Sequence, residues 1–381
     1  MNFVKNILKS ILPATFLKEA FLVYNKARIV TIDKVLFPEF TISPHNFLVY
    51  RKGFPFRENE IDINSLHDGD VRKLMEYWHD WTQEEFLLIL DRKCWIEPDL
   101  GWCIISPNKL VYYSLGISRT WFQRKPSLIR FLLRKNVIHF SKVISLRDTG
   151  EENYFHFYND VLAKLFFLQV HGLDVTSVPV VVSSKLWQKE YFQFCCRRLP
   201  LLQTITWIVQ ENQYISCDQV VLCKPITHDK FIWTSIFKPL LNPDQRGTRR
   251  VFLTRGKSRL RFIENRDVIE MIAVSSGFSI VDTDQLSLAD QSRLFSEVSI
   301  LAGIHGAGLT NMAFRKGNCR VLEIFPPATS GYLPFHYIML AQMQGFFYQA
   351  LIGEAGKRIY SGGFYLHPQK FEKALLNLLT G

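Results

Sequence analysis

The sequence contains few cysteines, and none of them is spaced like a metal ligand. Seven cysteines are scattered over 381 residues, two of them adjacent at Cys195 and Cys196, and no pair has the C-x-x-C spacing of a zinc site. An odd number of scattered cysteines also argues against a disulfide framework. The cysteine pattern therefore predicts free thiols in a reducing compartment.

Long apolar runs are absent as well. Charges interrupt every apolar stretch within about a dozen residues, whereas a transmembrane helix needs about 20. Residues 1–26 also lack the uninterrupted apolar region and the cleavage site of a signal peptide. They show an amphipathic pattern, with Phe3 and Ile7 opposite Lys5 and Lys9, which predicts either a peripheral membrane helix or a helix packed on the protein's own surface. We expect a cytoplasmic protein, which in the first case rests on the inner membrane face.

Charges of one sign are not gathered into a tail, although positive charge is in excess. The chain has 46 Lys and Arg against 35 Asp and Glu, a formal net charge of +11. This excess favours anionic partners such as nucleotide diphosphates or phospholipids, whereas the absence of a basic tail argues against a nucleic-acid-binding arm. With 48% hydrophobic and 21% charged residues the composition is globular, and the length suits two domains.

The order of apolar patterns predicts an α/β protein. Residues 28–140 favour short strands and loops, with one helix near residues 70–92. From residue 141 apolar strands alternate with amphipathic helices, which predicts a parallel sheet covered on both faces. A segment with several prolines and charges, 225–250, interrupts the alternation, which then resumes, so we predict two α/β domains in tandem. The predicted domains are residues 1–235 and 236–365, followed by a C-terminal helix, 366–381.

The most informative segment, VSILAGIHGAGLTNMAF, places glycines between a strand and a helix. Its apolar run leads directly into His305, Gly306, Ala307 and Gly308. Glycines at such a turn let the backbone approach a ligand, and the following helix offers unpaired N–H groups, which suits a pyrophosphate. The alternative is a turn in which the glycines only allow close packing. A dinucleotide fingerprint would need a third glycine where Asn311 stands.

Two charged residues near this turn are candidates for nucleotide contacts. Arg255 stands at the end of the strand RVFLTR and is suited to bind a diphosphate. Glu323 lies inside the apolar strand RVLEIF, where a carboxylate is costly unless it is paired or bound to a ligand. We predict that Glu323 accepts hydrogen bonds from ribose hydroxyls; the alternative is a salt bridge with Arg315 or Arg320.

These residues stand in an order that resembles one known family. Residues 141–327 resemble glycosyltransferase family 61, whose most distinctive element, H-G-A-G-L-T-N, stands intact at 305–311. The other matching residues are Asn153, Tyr154, His156, Asp160, Arg255, Arg261, Asn265, Gly277, Phe278, Gln291, Phe295, Phe314, Gly317 and Glu323. Two positions depart from the family pattern: Arg266 replaces a common acidic residue, and Phe262 replaces a frequent arginine.

The resemblance implies a GT-B fold, in which two Rossmann-like domains face each other across a cleft and the C-terminal domain binds the nucleotide. It also implies an inverting hexosyl- or pentosyltransferase that uses a nucleotide-sugar donor, which we expect to be UDP-linked. The expected acceptor is a hydroxyl of a glycan or of a lipid-linked molecule in surface or capsular polysaccharide synthesis, and no cofactor is expected. The expected donor-binding residues are Arg255, Arg261, Asn265, His305, Gly306, Ala307, Gly308, Asn311 and Glu323.

Inversion requires a base that deprotonates the acceptor hydroxyl. His156 and Asp160 are spaced one helical turn apart on one face, so either could serve, or Asp160 could orient His156. Alternatively, both residues only stabilise their helix. The next candidates stand in the preceding loop and are Asp148, Glu151 and Glu152.

One acidic pattern favours a different enzyme class. Asp282-Thr283-Asp284 follows a strand and resembles the Asp-x-Asp that binds manganese in metal-dependent glycosyltransferases. The pattern recurs at Asp68 and Asp70, so its specificity is poor, and we predict a turn there and no metal site. Two other functions are alternatives: a nicotinamide-dependent oxidoreductase built on the glycine turn, and a non-catalytic basic protein that binds nucleic acid or membrane.

Overall fold

The computed structural model describes most of the chain. The described residues are 39–40, 47–58, 61–105, 109–114, 126, 128–242, 247–256, 260–356 and 362–380. The predicted amphipathic helix, residues 1–26, lies outside them. Of the described residues, 39–53 and 82–239 form one compact unit, here called the N-terminal unit, and 54–81 and 240–380 form the C-terminal unit.

In the described part of the N-terminal unit, nine strands form one mixed sheet. Their bounds are β1 (Glu39–Phe40), β2 (Val49–Gly53), β3 (Gln83–Ile96), β4 (Cys103–Ile105), β5 (Lys109–Val111), β6 (Val137–Ser145), β7 (Val180–Ser183), β8 (Trp207–Gln210) and β9 (Tyr214–Lys224). The order is β1-β5-β4-β3-β9-β6-β7-β8, with β2 also paired to β3. Strands β6 to β9 are parallel, as predicted from the alternation, whereas β3 joins β9 antiparallel.

The prediction of a helix near residues 70–92 is correct only for its beginning. A helix spans Gly69–Met75 and a 3-10 turn follows at Glu76–Trp78, but β3 begins at Gln83. Strand β3 pairs with β2 and β4 on one side and with β9 on the other. Phe86, Leu87 and Leu88 are consecutive and all buried. A strand buried on both faces shows no alternation, so its sequence cannot be distinguished from a buried helix.

Helices follow the parallel strands of the N-terminal unit. Their bounds are Leu128–Leu132, Tyr154–His156, Ala163–Val170, Ser184–Trp187, Glu190–Arg198, Pro200–Gln203 and Lys230–Phe237, with 3-10 turns at Tyr112–Ser114 and Lys238–Leu240. The long helix predicted after β6 is present, but Phe157–Leu162 within it is wound as a π-helix. Asn153 caps its start, because its side chain accepts hydrogen bonds from the N–H groups of Phe155 and His156.

The C-terminal unit is built on a parallel sheet of five strands among the residues described. Their bounds are β10 (Arg249–Leu253), β11 (Ser279–Val281), β12 (Val298–Ile304), β13 (Arg320–Phe325) and β14 (Phe347–Ile352), and β15 (Glu354–Ala355) pairs with β16 (Phe364–Tyr365). The order is β11-β10-β12-β13-β14. The predicted alternation of strands and helices is confirmed in this unit.

The described part of the C-terminal unit contains six helices and three 3-10 segments. Their bounds are Pro55–Glu58, Gly69–Met75, Arg266–Ser275, Leu288–Ser296, His336–Met343 and Pro368–Thr380, with 3-10 segments at Glu76–Trp78, Thr283–Gln285 and Ala307–Phe314. Gly277, with a φ of 82°, follows the end of Arg266–Ser275, and the Ser287 side chain caps Leu288–Ser296. Within the described ranges, no helix of either unit has the length and hydropathy needed to span a bilayer.

The segment 54–81 belongs to the C-terminal unit, which its place in the sequence does not suggest. Asp62 and the Gln342 side chain exchange two hydrogen bonds, and the N–H of His67 donates to the Gln349 side chain, 3.1 Å. The Trp78 indole donates to the Leu333 carbonyl, 2.6 Å. The later division between the two units falls between residues 239 and 240. The final helix packs Phe371, Leu375 and Leu378 into the core of the C-terminal unit.

Both sheets contain a topological switch point, where the chain places one strand on one side of an earlier strand and a later strand on its other side. In the N-terminal unit the chain adds β7 and β8 on one side of β6 and then places β9 on the other side. In the C-terminal unit it adds β11 on one side of β10 and then β12 on the other. Open α/β sheets bind ligands at the carboxyl ends of the strands at such switch points. The loops after β6, β9, β10 and β12 are therefore where functional side chains are expected.

Buried ion pairs support the loop after β6. The Lys164 ammonium contacts the Asp148 carboxylate at 3.0 Å, with side-chain exposures of 2% and 1%, and it also donates to the Arg147 carbonyl. Arg147 and Glu151 form a second buried pair, 3.2 Å apart. Removal of either partner of a buried ion pair strongly lowers the free energy of unfolding, because the other charge stays buried without compensation.

We expect Lys164→Met to lower the free energy of unfolding by about 3–5 kcal/mol, because it leaves the Asp148 carboxylate buried without its cation. The matched control is Lys185→Met, whose exposed ion pair with Glu152 should contribute less than about 1 kcal/mol. Urea denaturation of both variants measures the difference. Equal effects of the two substitutions would contradict this account.

Candidate functional site

The switch point of the C-terminal unit brings Arg255 and the glycine turn together. Arg255 follows β10, and its Nη1 donates a hydrogen bond to the carbonyl oxygen of His305, 3.2 Å. A Cβ atom on Gly306 would lie 2.7 Å from that Nη1, so a side chain there would displace the guanidinium group. Gly306 is therefore required for the close contact between Arg255 and the turn.

The residues after Gly306 start a helix, as predicted, although it is a 3-10 helix. It spans Ala307–Phe314, and Ala307 and Gly308 are half-buried in its first turn. The first N–H groups of a helix have no partner within it and carry partial positive charge. The turn thus places backbone donors and a guanidinium group at one edge of the sheet, an arrangement that suits a diphosphate.

His305 is held by a carboxylate from the neighbouring strand. Its Nδ1 lies 2.5 Å from Oε1 of Glu323, and the Tyr348 hydroxyl donates to Oε2 of the same carboxylate, also at 2.5 Å. Burial, followed by the charge of Glu323, raises the pKa of Tyr348 far above its ordinary value, so Tyr348 stays a donor. The imidazole also stacks on Phe325, with 5.0 Å between the ring centroids. Its Nδ1 side is thus engaged and its Nε2 side is left for a ligand.

The surroundings of Glu323 differ from both predictions for it. Its partners are His305 and Tyr348, whereas Arg315 donates to the Ser296 carbonyl and Arg320 to the carbonyls that end the last helix, so the predicted salt bridge is wrong. Glu323 is also fully buried. Because both carboxylate oxygens already accept hydrogen bonds from protein groups, the geometry does not support the predicted ribose contact.

Arg261 lies close to the same site. Its backbone is left-handed, with a φ of 67°, and its N–H donates to the Gly362 carbonyl, 2.7 Å. The charges of Arg261 and Arg255 both act on the hydroxyl of Tyr337, whose pKa is raised by burial. The Tyr337 ring contacts His305, with 5.4 Å between centroids. The two arginines expected to bind the diphosphate are therefore both near enough to Tyr337 for their charges to act on its hydroxyl.

Two asparagines expected to bind the donor have structural partners instead. The Asn265 amide donates to the carbonyl of Leu366, 2.8 Å, and accepts from its N–H, 3.1 Å. Asn311 is fully buried, and its amide donates to the Gln291 side chain, 2.8 Å. Gln291 in turn donates to two carbonyls of the loop after β11. Asn265 and Asn311 thus tie segments of the chain together, and their predicted contact with the donor stays a prediction.

The switch point of the N-terminal unit carries His156 and Asp160. The imidazole Nδ1 lies 2.6 Å from Oδ2 of Asp160, with side-chain exposures of 30% and 6%. Asp160 stands in the π-helix that begins directly after His156. Single π-helical turns within α-helices are rare and occur frequently at functional sites. Of the arrangements predicted for this pair, the structure shows the one in which the Asp160 carboxylate orients the His156 imidazole.

The protonation of this pair follows from its surroundings. Burial lowers the pKa of His156, but the hydrogen bond and charge of Asp160, with the charge of Asp148, outweigh it and raise the pKa above 6.5. Burial also raises the pKa of Asp160, against the effect of His156. The two groups therefore titrate as a pair, and the imidazole keeps its proton to higher pH than a free histidine does.

The other three candidates for the base are engaged in ion pairs. Asp148 and Glu151 are buried against the cations described above. Glu152 is exposed and lies 3.6 Å from Lys185 and 3.7 Å from Lys189. The geometry therefore favours His156 and Asp160 over this loop.

A sequence comparison supports the resemblance found in the sequence. The family described as Glycosyltransferase 61 matches residues 154–322. A search among curated proteins returned no significant match. The matched range includes His156, Asp160, Arg255 and the His305 turn, and a glycosyltransferase would bind a sugar donor and an acceptor there.

The Asp282-Thr283-Asp284 motif forms a turn in the structure. Among the described residues, no three His, Cys, Asp or Glu side chains are placed to hold a metal ion. The Asp282 side chain accepts from the N–H of Asp284, 3.1 Å, and caps the 3-10 turn Thr283–Gln285. This motif therefore forms the predicted turn.

Several residues of the site were not identified from the sequence. Tyr348 completes the hydrogen bonds of Glu323, Tyr337 faces His305, and Asn159 bonds to Asp160. Each looks like an ordinary core residue in its own segment. The sequence offered one local signal, which is that Asn159 stands directly beside Asp160.

We expect the His156 imidazole to titrate above pH 6.5 in the native protein and below it in Asp160→Asn. The substitution removes the negative charge and leaves burial, which disfavours the imidazolium. Histidine NMR signals followed from pH 5 to 9 measure both values, with the remaining histidines as internal reference. An unchanged midpoint in Asp160→Asn would show that the two side chains are not coupled in solution.

Proposed function

We propose that the protein is an inverting glycosyltransferase of the GT-B type that uses a nucleotide-diphosphate sugar. The observation that carries the proposal is the contact between Arg255 and the His305–Gly306 turn at the C-terminal switch point. A guanidinium group, the start of a helix and a carboxylate-bound imidazole converge there. Together they provide the positive groups that a departing diphosphate requires.

On the donor side, Arg255 and Arg261 would bind the diphosphate oxygens, and the N–H groups of Ala307 and Gly308 would add backbone donors. Glu323 would act by orienting His305, whose Nε2 would then point a hydrogen bond at the leaving group. This assignment replaces a direct contact between Glu323 and the ribose.

On the acceptor side, His156 would take the proton of the acceptor hydroxyl at Nε2, while Asp160 holds Nδ1. The acceptor oxygen forms a bond to the anomeric carbon as the bond between that carbon and the diphosphate oxygen breaks. The diphosphate leaves with the electron pair. One displacement of this kind inverts the anomeric carbon.

The remaining features of the proposal rest on the family and on charge. We propose a UDP-linked hexose or pentose as donor and a hydroxyl of a glycan or lipid-linked acceptor in surface or capsular polysaccharide synthesis. The net charge of +11 favours such anionic donors and membranes. A cytoplasmic location, with residues 1–26 on the inner membrane face, and transfer without a metal or cofactor belong to the same proposal.

Arg255→Ala should weaken UDP binding roughly ten- to a hundredfold, because a charge-assisted hydrogen bond to phosphate is lost. The matched control is Arg293→Ala in the same unit, an exposed arginine paired with Asp290. Isothermal titration calorimetry with UDP measures both. The donor site would have to be moved if Arg255→Ala bound UDP as tightly as the control.

His156→Ala and Asp160→Asn should each reduce turnover roughly a hundredfold or more and leave UDP affinity unchanged, since a base acts on the acceptor and not on the donor. Initial rates with a UDP-sugar, together with UDP titrations, separate the two effects. A folded double variant with normal turnover would place the base elsewhere.

Transfer should persist in EDTA, because Arg255, Arg261 and His305 supply the positive groups near the diphosphate. Rates with EDTA and after addition of Mn²⁺ test this expectation. Loss of activity in EDTA that Mn²⁺ restores would contradict it.

A further inference from the structure

One buried amide in the N-terminal unit uses all of its hydrogen-bonding capacity around the His156–Asp160 pair. Asn159 is 2% exposed. Its Nδ2 donates to Oδ1 of Asp160 and to Oγ1 of Thr227, both at 2.7 Å. Its Oδ1 accepts from the N–H of His228, 2.9 Å, and from the Trp233 indole, 3.2 Å. Because these last two groups can only donate, the amide oxygen must face them and the amide nitrogen must face Asp160.

The partners of Asn159 lie on the other side of the switch point. Thr227 and His228 belong to the loop after β9, whereas Asn159 and Asp160 belong to the helix after β6. Two buried side chains fix this loop: Gln83 accepts from the N–H of Thr227, 2.7 Å, and Glu85 accepts from that of Ile226, 3.2 Å.

The backbone of the loop is strained at His228. Its φ is 56°, in the left-handed region that side chains other than glycine rarely adopt. The His228 ring stacks on Trp233 at an interplanar angle of 6°, and its Nδ1 lies 3.0 Å from the Thr227 hydroxyl. Strained conformations persist where the surroundings overdetermine them, and they cluster at functional sites. The strain at His228 therefore indicates that its neighbours hold the loop after β9 in one position beside the His156–Asp160 pair.

We propose that Asn159 is a positioning residue for the base, held in place by Thr227. Its N–H fixes Oδ1 of Asp160, so that Oδ2 meets Nδ1 of His156 and the acceptor proton goes to Nε2. This inference rests on the proposed role of His156. Asn159 acts through Asp160 and does not itself touch the substrate.

The same hydrogen bond favours the charged form of Asp160. His156 and Asp160 titrate as a pair, and a carboxylate that loses this donor binds the shared proton of the pair more tightly. The pair then releases that proton, and frees His156 to act as the base, only at higher pH. Asp148, in the loop after β6, acts on both members of the pair through its charge and is itself paired with Lys164. Arg147 and Glu151 form a second ion pair in the same loop, and His228 stands in the loop after β9. They remain unchanged when Asn159 is replaced.

The sharpest test is Asn159→Asp, which keeps the acceptor oxygen for His228 and Trp233 but replaces the donor to Asp160 with a second carboxylate oxygen. Like charges at this distance raise the pKa of the carboxylates and also that of His156. The rising limb of the pH profile of kcat should therefore move up by about one unit or more, with about tenfold lower turnover at neutral pH. UDP affinity, a property of the C-terminal unit, should stay unchanged.

Two variants of Thr227 provide a second measurement that keeps Asn159 intact. Thr227→Val removes the hydroxyl that holds the Asn159 amide. The rising limb of the pH profile of kcat should then move in the same direction by a smaller amount. Thr227→Ser keeps the hydroxyl and should show the native profile. Unchanged pH profiles in Asn159→Asp and Thr227→Val, both folded by circular dichroism, would overturn the positioning role. If Asn159→Asp does not fold, the two Thr227 variants decide.

The result can be separated from a failure of the proposed function. Normal turnover in His156→Ala would show that His156 is not the base, whatever the result for Asn159. Loss of turnover in His156→Ala together with an unchanged profile in Asn159→Asp would leave the base in place and exclude only its positioning by Asn159.

Discussion

A buried carboxylate stays charged only where the protein supplies hydrogen-bond donors for its oxygens, and this constraint organises both switch points. Glu323 receives donors from His305 and Tyr348, and Asp160 receives them from His156 and Asn159. In each unit the need to satisfy a buried acid fixes the orientation of one imidazole. Because Nδ1 of each ring is engaged, any chemistry with a ligand falls to Nε2.

The topology explains why these imidazoles stand where a ligand can reach them. Strands β12 and β13 run parallel with Gly303 opposite Glu323, so the carboxylate lies beside the strand that leads into His305. His156 follows the loop after β6, whose neighbour β9 was added from the other direction. A reversal of strand order separates the loops at the carboxyl edge, and it leaves room for a ligand there.

The sequence predicted the features that depend on local spacing. The i,i+4 pair His156 and Asp160 and the strand–glycine–helix order at His305 could be predicted because their members stand a few residues apart. The partners of Asn265 and Tyr348 stand 101 and 25 residues away, and no local pattern encodes such contacts. Strand β3 was not predicted because Phe86, Leu87 and Leu88 are all buried, and burial of both faces removes the alternation that marks a strand.

The same reasoning explains why motif membership does not identify a ligand contact. Asn311 belongs to the H-G-A-G-L-T-N element, yet its amide bonds to Gln291, which holds the Thr283 and Leu286 carbonyls of the loop after β11. A Cβ on Gly308 would lie 3.3 Å from the Thr283 hydroxyl, so the same loop packs against the turn. Residues of one motif can therefore differ in role, since some of them hold the turn in place. Asn159 has the corresponding place in the N-terminal unit, because its amide ties the helix that carries His156 and Asp160 to the loop beside it.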